Sequence, residues 1–217
     1  AAAKKGVCGK PKIMKRKDRR LATATLPIMP ETSRELRRLL GLASTHHRQL
    51  QAVLLADPAA AIALFRELEH ARPGAGDTVK DAAHALSLLG LGRFRRVLDS
   101  LPKVGPGNPG HAGMQGRESS YSQAAHAAFY AGALTRHRGA SGNGEIPTAA
   151  LLQNPAILAL WETEPESAQR AANAVRDGVP TPVAFGAELG GPLEDLNRRL
   201  AGDWAFPRLA RQALGDW

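Results

Sequence analysis

The 217-residue chain is 43% hydrophobic, 23% charged and only 5% aromatic, with a formal net charge of +9. That length suits one or two globular domains with a sizeable core, and the alanine- and leucine-rich mix favours helices over a strand-rich sandwich. No apolar run reaches the ~20 residues that span a bilayer, and a single cysteine, Cys8, excludes an internal disulfide and a multi-cysteine zinc site.

The basicity is local. Residues 1–20 hold nine of the 29 Lys/Arg and one of the 20 acids, which leaves 20 cations against 19 anions in the rest of the chain. The folded body is therefore close to neutral. No apolar block follows the positive charges, so no secretory signal is expected, and a reducing cytoplasm is the simplest compartment. Like charge without core-forming residues predicts a mobile extension over 1–20. Its Lys12, Lys15, Arg16, Lys17, Arg19 and Arg20 can contact phosphates of nucleic acid or another anionic surface. The alternative is a solubilising tail, or the start of a piece of a longer protein, since no aromatic residue is interleaved to stack on bases.

From Leu26 the pattern becomes helical. LPIMPETSRELRRLLGL opens with two prolines, and Thr32 or Ser33 is expected to cap a helix carrying Leu36, Leu39 and Leu40. A second apolar stripe, HRQLQAVLLA, stops at Asp57-Pro58. There Asp57 can cap the next helix while Pro58 occupies its first turn, where a missing N–H costs nothing. That helix carries Ile62, Leu64, Phe65 and Leu68. Asp77 or Thr78 is expected to cap a fourth, with Val79, Ala82, Ala83, Leu86 and Leu89 on one face and Gly90 as its stop. LGRFRRVLDSL then buries Phe94, Val97, Leu98 and Leu101.

Residues 102–118 (PKVGPGNPGHAGMQGRE) predict an irregular Gly/Pro-rich connection between two lobes, 21–101 and 119–217. Its glycines lack the spacing and Lys-Ser/Thr ending of a phosphate-binding loop. An alanine-rich helix over about 119–137, a second flexible stretch RGASGNGE, and several further helices ending in LNRRLAGDWAFPRLARQAL complete the chain. No segment alternates apolar and polar residues for long enough to require a strand. The fold class is all-α.

Weighed singly, the reactive side chains yield no catalytic constellation. His46 and His47 are neighbours and diverge on a helix, His84 has only Asp81 at helical spacing, and His126 stands among alanines. There is no H-E-x-x-H motif and no G-x-S-x-G around Ser119, Ser120 or Ser122. Glu162, Glu164 and Glu166 of WETEPES read as a solvated loop.

Taken in order, the segments resemble the HDOD domain, the HD-related output domain of bacterial signalling proteins. Leu26, Pro27 and Pro30 match its opening Leu-Pro-x-x-Pro, and Asp57, Pro58, Leu64 and Phe65 its Asp-Pro helix. Ala85, Leu86, Leu89, Gly90, Phe94 and Leu98 match its Leu-Gly junction, and Leu200, Trp204 and Pro207 its late helix pair. Glu69-His70 stands where Asn-Ser is usual. The resemblance covers about residues 21–217.

HDOD domains resemble the metal-dependent HD phosphohydrolases, whose paired histidine and aspartate hold metal. Laid on that pattern, Ala150-Leu151-Leu152-Gln153-Asn154-Pro155 puts Gln153 at the histidine and Asn154 at the aspartate, and a further ligand would lie in the SSYSQ segment, 119–123. Neutral amides replace an imidazole and a carboxylate poorly. The resemblance thus implies a degenerate site with no catalytic residue, no metal and no cofactor, in a regulatory domain that binds a protein partner or a small ligand. Gln153 and Asn154 are then expected to satisfy backbone groups around Pro155. The competing readings are a phosphohydrolase of nucleotides or cyclic dinucleotides, and a nucleic-acid-associated regulator using the basic tail.

Overall fold

A computed structural model describes residues 16–105, 112–139 and 144–215. Among these the chain is all-helical, with one isolated bridge between Ile28 and Lys103. The expected fold class is the observed one.

The first described helix is α1 (Arg16–Thr23), so residues 16–20 do not belong to the mobile extension expected over 1–20. Residues 16–20 join the folded body because Lys17, Asp18 and Arg20 meet fixed partners. Lys17 lies 2.8 Å from Glu164, and Asp18 pairs with Arg199 at 2.6 Å. Leu21, on the same helix, is buried. Residues 1–15, including Lys12 and Lys15, lie outside the described residues.

α2 (Pro30–Leu40) starts earlier than the expected Thr32 or Ser33 cap. Pro30 takes a first-turn position, where its fixed φ suits the helix and its missing N–H is not needed, so Thr32 and Ser33 fall inside and are buried. After α3 (His47–Leu54), Asp57 caps α4 (Pro58–Ala71) as its sequence signal predicts, its Oδ1 accepting from the Ala59 and Ala60 N–H groups. Glu69, in place of the usual Asn, accepts from the Gly74 and Gly76 N–H groups and ties down the following turn.

The expected fourth helix is divided. α5 (Ala75–Thr78) is a single turn, and α6 (Ala82–Leu89) is capped by Asp81, whose Oδ1 accepts from His84 N at 2.8 Å. Val79 between them is extended and buried. Gly90, at φ 83°, makes the corner into α7 (Leu91–Ser100), a conformation costly for any residue with a Cβ.

The expected irregular connection over 102–118 is ordered at both of its described ends. Pro102 and Val104 pair with Ile28, and α8 (Ala112–His137) begins within the segment. Gly116, read as a breaker, instead lets the α8 backbone lie against the Trp161 ring, where a Cβ would overlap it.

α9 (Glu145–Leu151) and α10 (Pro155–Thr163) follow, then α11 (Pro165–Arg176), α12 (Thr181–Leu189), α13 (Leu193–Asp203) and α14 (Arg208–Ala213). WETEPES is therefore the α10–α11 junction, and two of its three acids are engaged: Glu162 pairs with Arg117 and Glu164 with Lys17, while Glu166 is exposed.

The two halves share one contiguous core, from Leu21 and Phe65 to Trp161, Trp204 and Phe206. Each such large side chain, fully buried, contributes roughly 1.5–3 kcal/mol. α2, α3, α4, α6 and α7 pack together, while α8 packs on α9, α10 and α11. α1 packs on α10 and α13, so the first described helix lies against the second half.

Candidate functional site

Pro155 organises the segment around Gln153 and Asn154. A proline biases the preceding residue out of the helical region, and Asn154 sits at φ −126°, ψ 54°. α9 therefore ends before it, and α10 restarts with Pro155 in its first turn. The restart leaves early N–H groups without intrahelical partners. That of Ala156 donates to Asn197 Oδ1 at 3.0 Å, within the core.

This corrects the expected role of the two amides. Asn154 makes no capping bond with its side chain, and both Gln153 and Asn154 are exposed. Asn197 does the work from α13. Its one sequence signal is a polar residue at a core-facing position, four after Leu193 and three before Leu200.

Gln153 and Asn154 line a depression of about 70 Å³ between α8 and α10, together with Ser120, Gln123, Ile157 and Leu158. The SSYSQ segment is thus brought beside the pair. Ser120, Gln123 and Ile157 also border a wider groove of about 580 Å³ floored by Trp161 and Phe185.

The family-motif residues converge elsewhere, at the joint between the halves. Leu26 is buried. The Pro27 carbonyl accepts from the Tyr121 hydroxyl at 3.0 Å, and Asp57 Oδ2 accepts from Met29 N at 2.8 Å while its Oδ1 caps α4. Burial pushes the Asp57 carboxyl above its ordinary range, against the pull of Met29, Ala60, Thr32 and Ala59. Burial also raises the Tyr121 phenol, reinforced by the nearby Asp57 carboxylate. Glu162 is raised chiefly by burial, with Arg117, 3.0 Å away, opposing it. At the other end, Trp204 Nε1 donates to the Ala22 carbonyl at 2.8 Å, Arg66 lies over its ring, and Pro207 leads into α14. One carboxylate, one phenol and one indole therefore fix the prolines, the Asp-Pro helix and the C-terminal pair into a single frame.

Residues 26–215 match the HDOD domain family. The chain belongs to it. HDOD domains are related to the HD phosphohydrolases. The fold is shared by the MmoQ response regulator of Methylococcus capsulatus, with a TM-score of 0.67 and 21% identity over 88% of this chain and 78% of that one. It is shared too by a virulence factor of Campylobacter jejuni, with a TM-score of 0.68 and 14% identity over 93% of this chain and 74% of that one. No curated protein matches it.

The resemblance lays Gln153 and Asn154 on the pair that holds metal in HD phosphohydrolases, and the residues around them here do not fit a divalent ion. The depression offers three side-chain amides and a hydroxyl, with no carboxylate, imidazole or thiolate among its lining residues. Dipoles without charge cannot replace the tightly held water of such an ion. Among the described residues no group of three or more His, Cys, Asp and Glu is placed to hold a metal.

Three of the seven histidines of this HDOD domain have local partners. The His84 ring accepts from Lys80 N at 3.3 Å, the His46 side chain takes part in a capping box with Gln49, and the His47 ring lies 3.3 Å from the Ser87 hydroxyl. Of the candidate phosphate contacts, Lys17 also donates to the Glu188 carbonyl at 2.6 Å and Arg20 to the Thr163 carbonyl at 2.8 Å. Those two cations serve the fold, because α10 ends in carbonyls and Glu164 beside them. Arg19 faces solvent, and Arg16 opens α1. Among the described residues no helix is long and apolar enough to cross a membrane.

Proposed function

We propose that this HDOD domain is a non-catalytic regulatory module of a bacterial signalling pathway, acting by binding a protein partner. The observation that carries the reading is the donor set at the HD position: Ser120, Gln123, Gln153 and Asn154 meet there, and all are neutral. Metal-assisted hydrolysis needs a charged ligand set that holds the ion and acidifies its water, and amides supply neither.

The test is elemental analysis of purified protein, combined with hydrolysis assays on nucleotides and cyclic dinucleotides in added Mn²⁺, Fe²⁺, Zn²⁺ or Mg²⁺. The expected result is no stoichiometric metal at this site and no turnover above background. Gln153→His with Asn154→Asp should not restore activity, because Ser120 and Gln123 supply no further imidazole. About one metal per chain, lost in Asn154→Ala, would overturn the reading in favour of a phosphohydrolase.

A further inference from the structure

α8 carries a solvent-facing stripe that the described residues leave uncovered. Phe129, Tyr130 and Leu134 are 64%, 63% and 64% exposed. The rings are already ordered among themselves. Phe129 meets Tyr130 edge to face with centroids 5.6 Å apart, and His126 lies 6.4 Å from Tyr130. Such a cluster gives up little side-chain entropy when it is covered. Ser119, Ser122, His126, Ala133 and His137 continue the stripe at spacings of three and four, which keeps them on one helix face. Ala125 and Ala133 leave shallow gaps beside the rings.

We propose that this face pairs with α8 of a second copy of the chain, the two helices antiparallel about a twofold axis near residue 127. A twofold interface needs knobs and gaps on the same patch, and this stripe has both. In that register Phe129 falls over Ala125 of the second copy, Tyr130 over its His126, and His137 beside its Ser119.

Charge selects the direction. Glu118 and Arg136 are exposed and form no ion pair with any described residue. Their separation is five whole turns, so both lie on the flank that also holds Phe129. An antiparallel pair sets Glu118 against Arg136 of the second copy, twice per dimer. A parallel pair would send this flank to opposite sides of the interface and leave both charges without a partner.

Area sets the strength. Phe129 and Tyr130 together expose roughly 200–300 Å². With Leu134 and the alanines the patch stays below the ~800 Å² per partner of a stable complex. The dimer is therefore weak and concentration-dependent.

Sedimentation velocity on the full chain over a concentration series tests this, with circular dichroism to follow folding. A reversible monomer–dimer equilibrium is expected. Tyr130→Glu should raise its dissociation constant by about tenfold or more, with Phe129→Ser as the second variant if the first fails to fold. Glu118→Arg and Arg136→Glu should each weaken the dimer, and the two together should restore it to within about twofold of the parent. A monomer at every concentration reached would overturn the proposal. So would a dimer indifferent to Tyr130→Glu, or a double charge exchange that recovers nothing.

Discussion

The Tyr121 hydroxyl donates to the Pro27 carbonyl at 3.0 Å, across 94 residues of chain. Both residues are buried, so one side chain of α8 holds the proline-led opening of the first half against the second. Tyr121→Phe keeps the ring and removes only the hydroxyl. The expected cost is about 1–2 kcal/mol, read from urea unfolding monitored by far-ultraviolet circular dichroism. No loss of stability would show that the joint does not depend on this bond.

Asp57 serves two segments with two oxygens, Oδ1 for Ala59 and Ala60 and Oδ2 for Met29. Asparagine offers one carbonyl oxygen, so its NH₂ must face a backbone N–H on one side or the other. Asp57→Asn is expected to cost about 1–3 kcal/mol despite its near-identical shape. An asparagine variant with parental stability in urea would contradict this.

α1 is held by Lys17, whose hydrogen bond and charge hold the Glu164 carboxyl below its ordinary range, with Arg20 and Ser167 adding to the effect. A lowered folded pKa means that the unfolded chain binds the proton more readily. The stabilisation is therefore present above 4.5, the ordinary value, and is lost as pH falls through the folded value. Lys17→Met should cost up to about 1 kcal/mol near neutrality, and its gap from the parent should narrow as the solution is acidified, leaving the part due to the Glu188 carbonyl. A gap independent of pH would assign the loss to packing instead.

Removing residues 1–23 would also take away buried Leu21 and the Ala22 carbonyl that accepts from Trp204. Loss of the leucine alone is worth roughly 1.5–3 kcal/mol. The melting temperature should fall by several degrees, and an unchanged transition would show α1 to be dispensable.

Gly116→Ala places a methyl group in the Trp161 ring. The expected cost is about 1–3 kcal/mol, typical of overpacking, together with a changed near-ultraviolet spectrum as the indole shifts. Combined with Trp161→Leu, the alanine should cost less than it does alone, because the two positions share one space. Simple additivity would mean that the contact is not the cause.

What the sequence determined was local. Pro58 in a first turn, Asp57 as that helix's cap and Gly90 at a corner each act through their own backbone or one turn away. Helical periodicity and these punctuation marks were enough for the all-α class and the family resemblance. The neutrality of Gln153 and Asn154 was equally plain, since charge belongs to residue type. Tertiary structure decided who satisfies whom. Ala156 N is answered by Asn197 from α13, Lys17 by Glu164 from the far half, and Gly116 is needed by a tryptophan on α10 rather than by a turn. Each of those contacts joins residues dozens of positions apart, and a buried donor or charge takes whichever partner the packed core brings within reach.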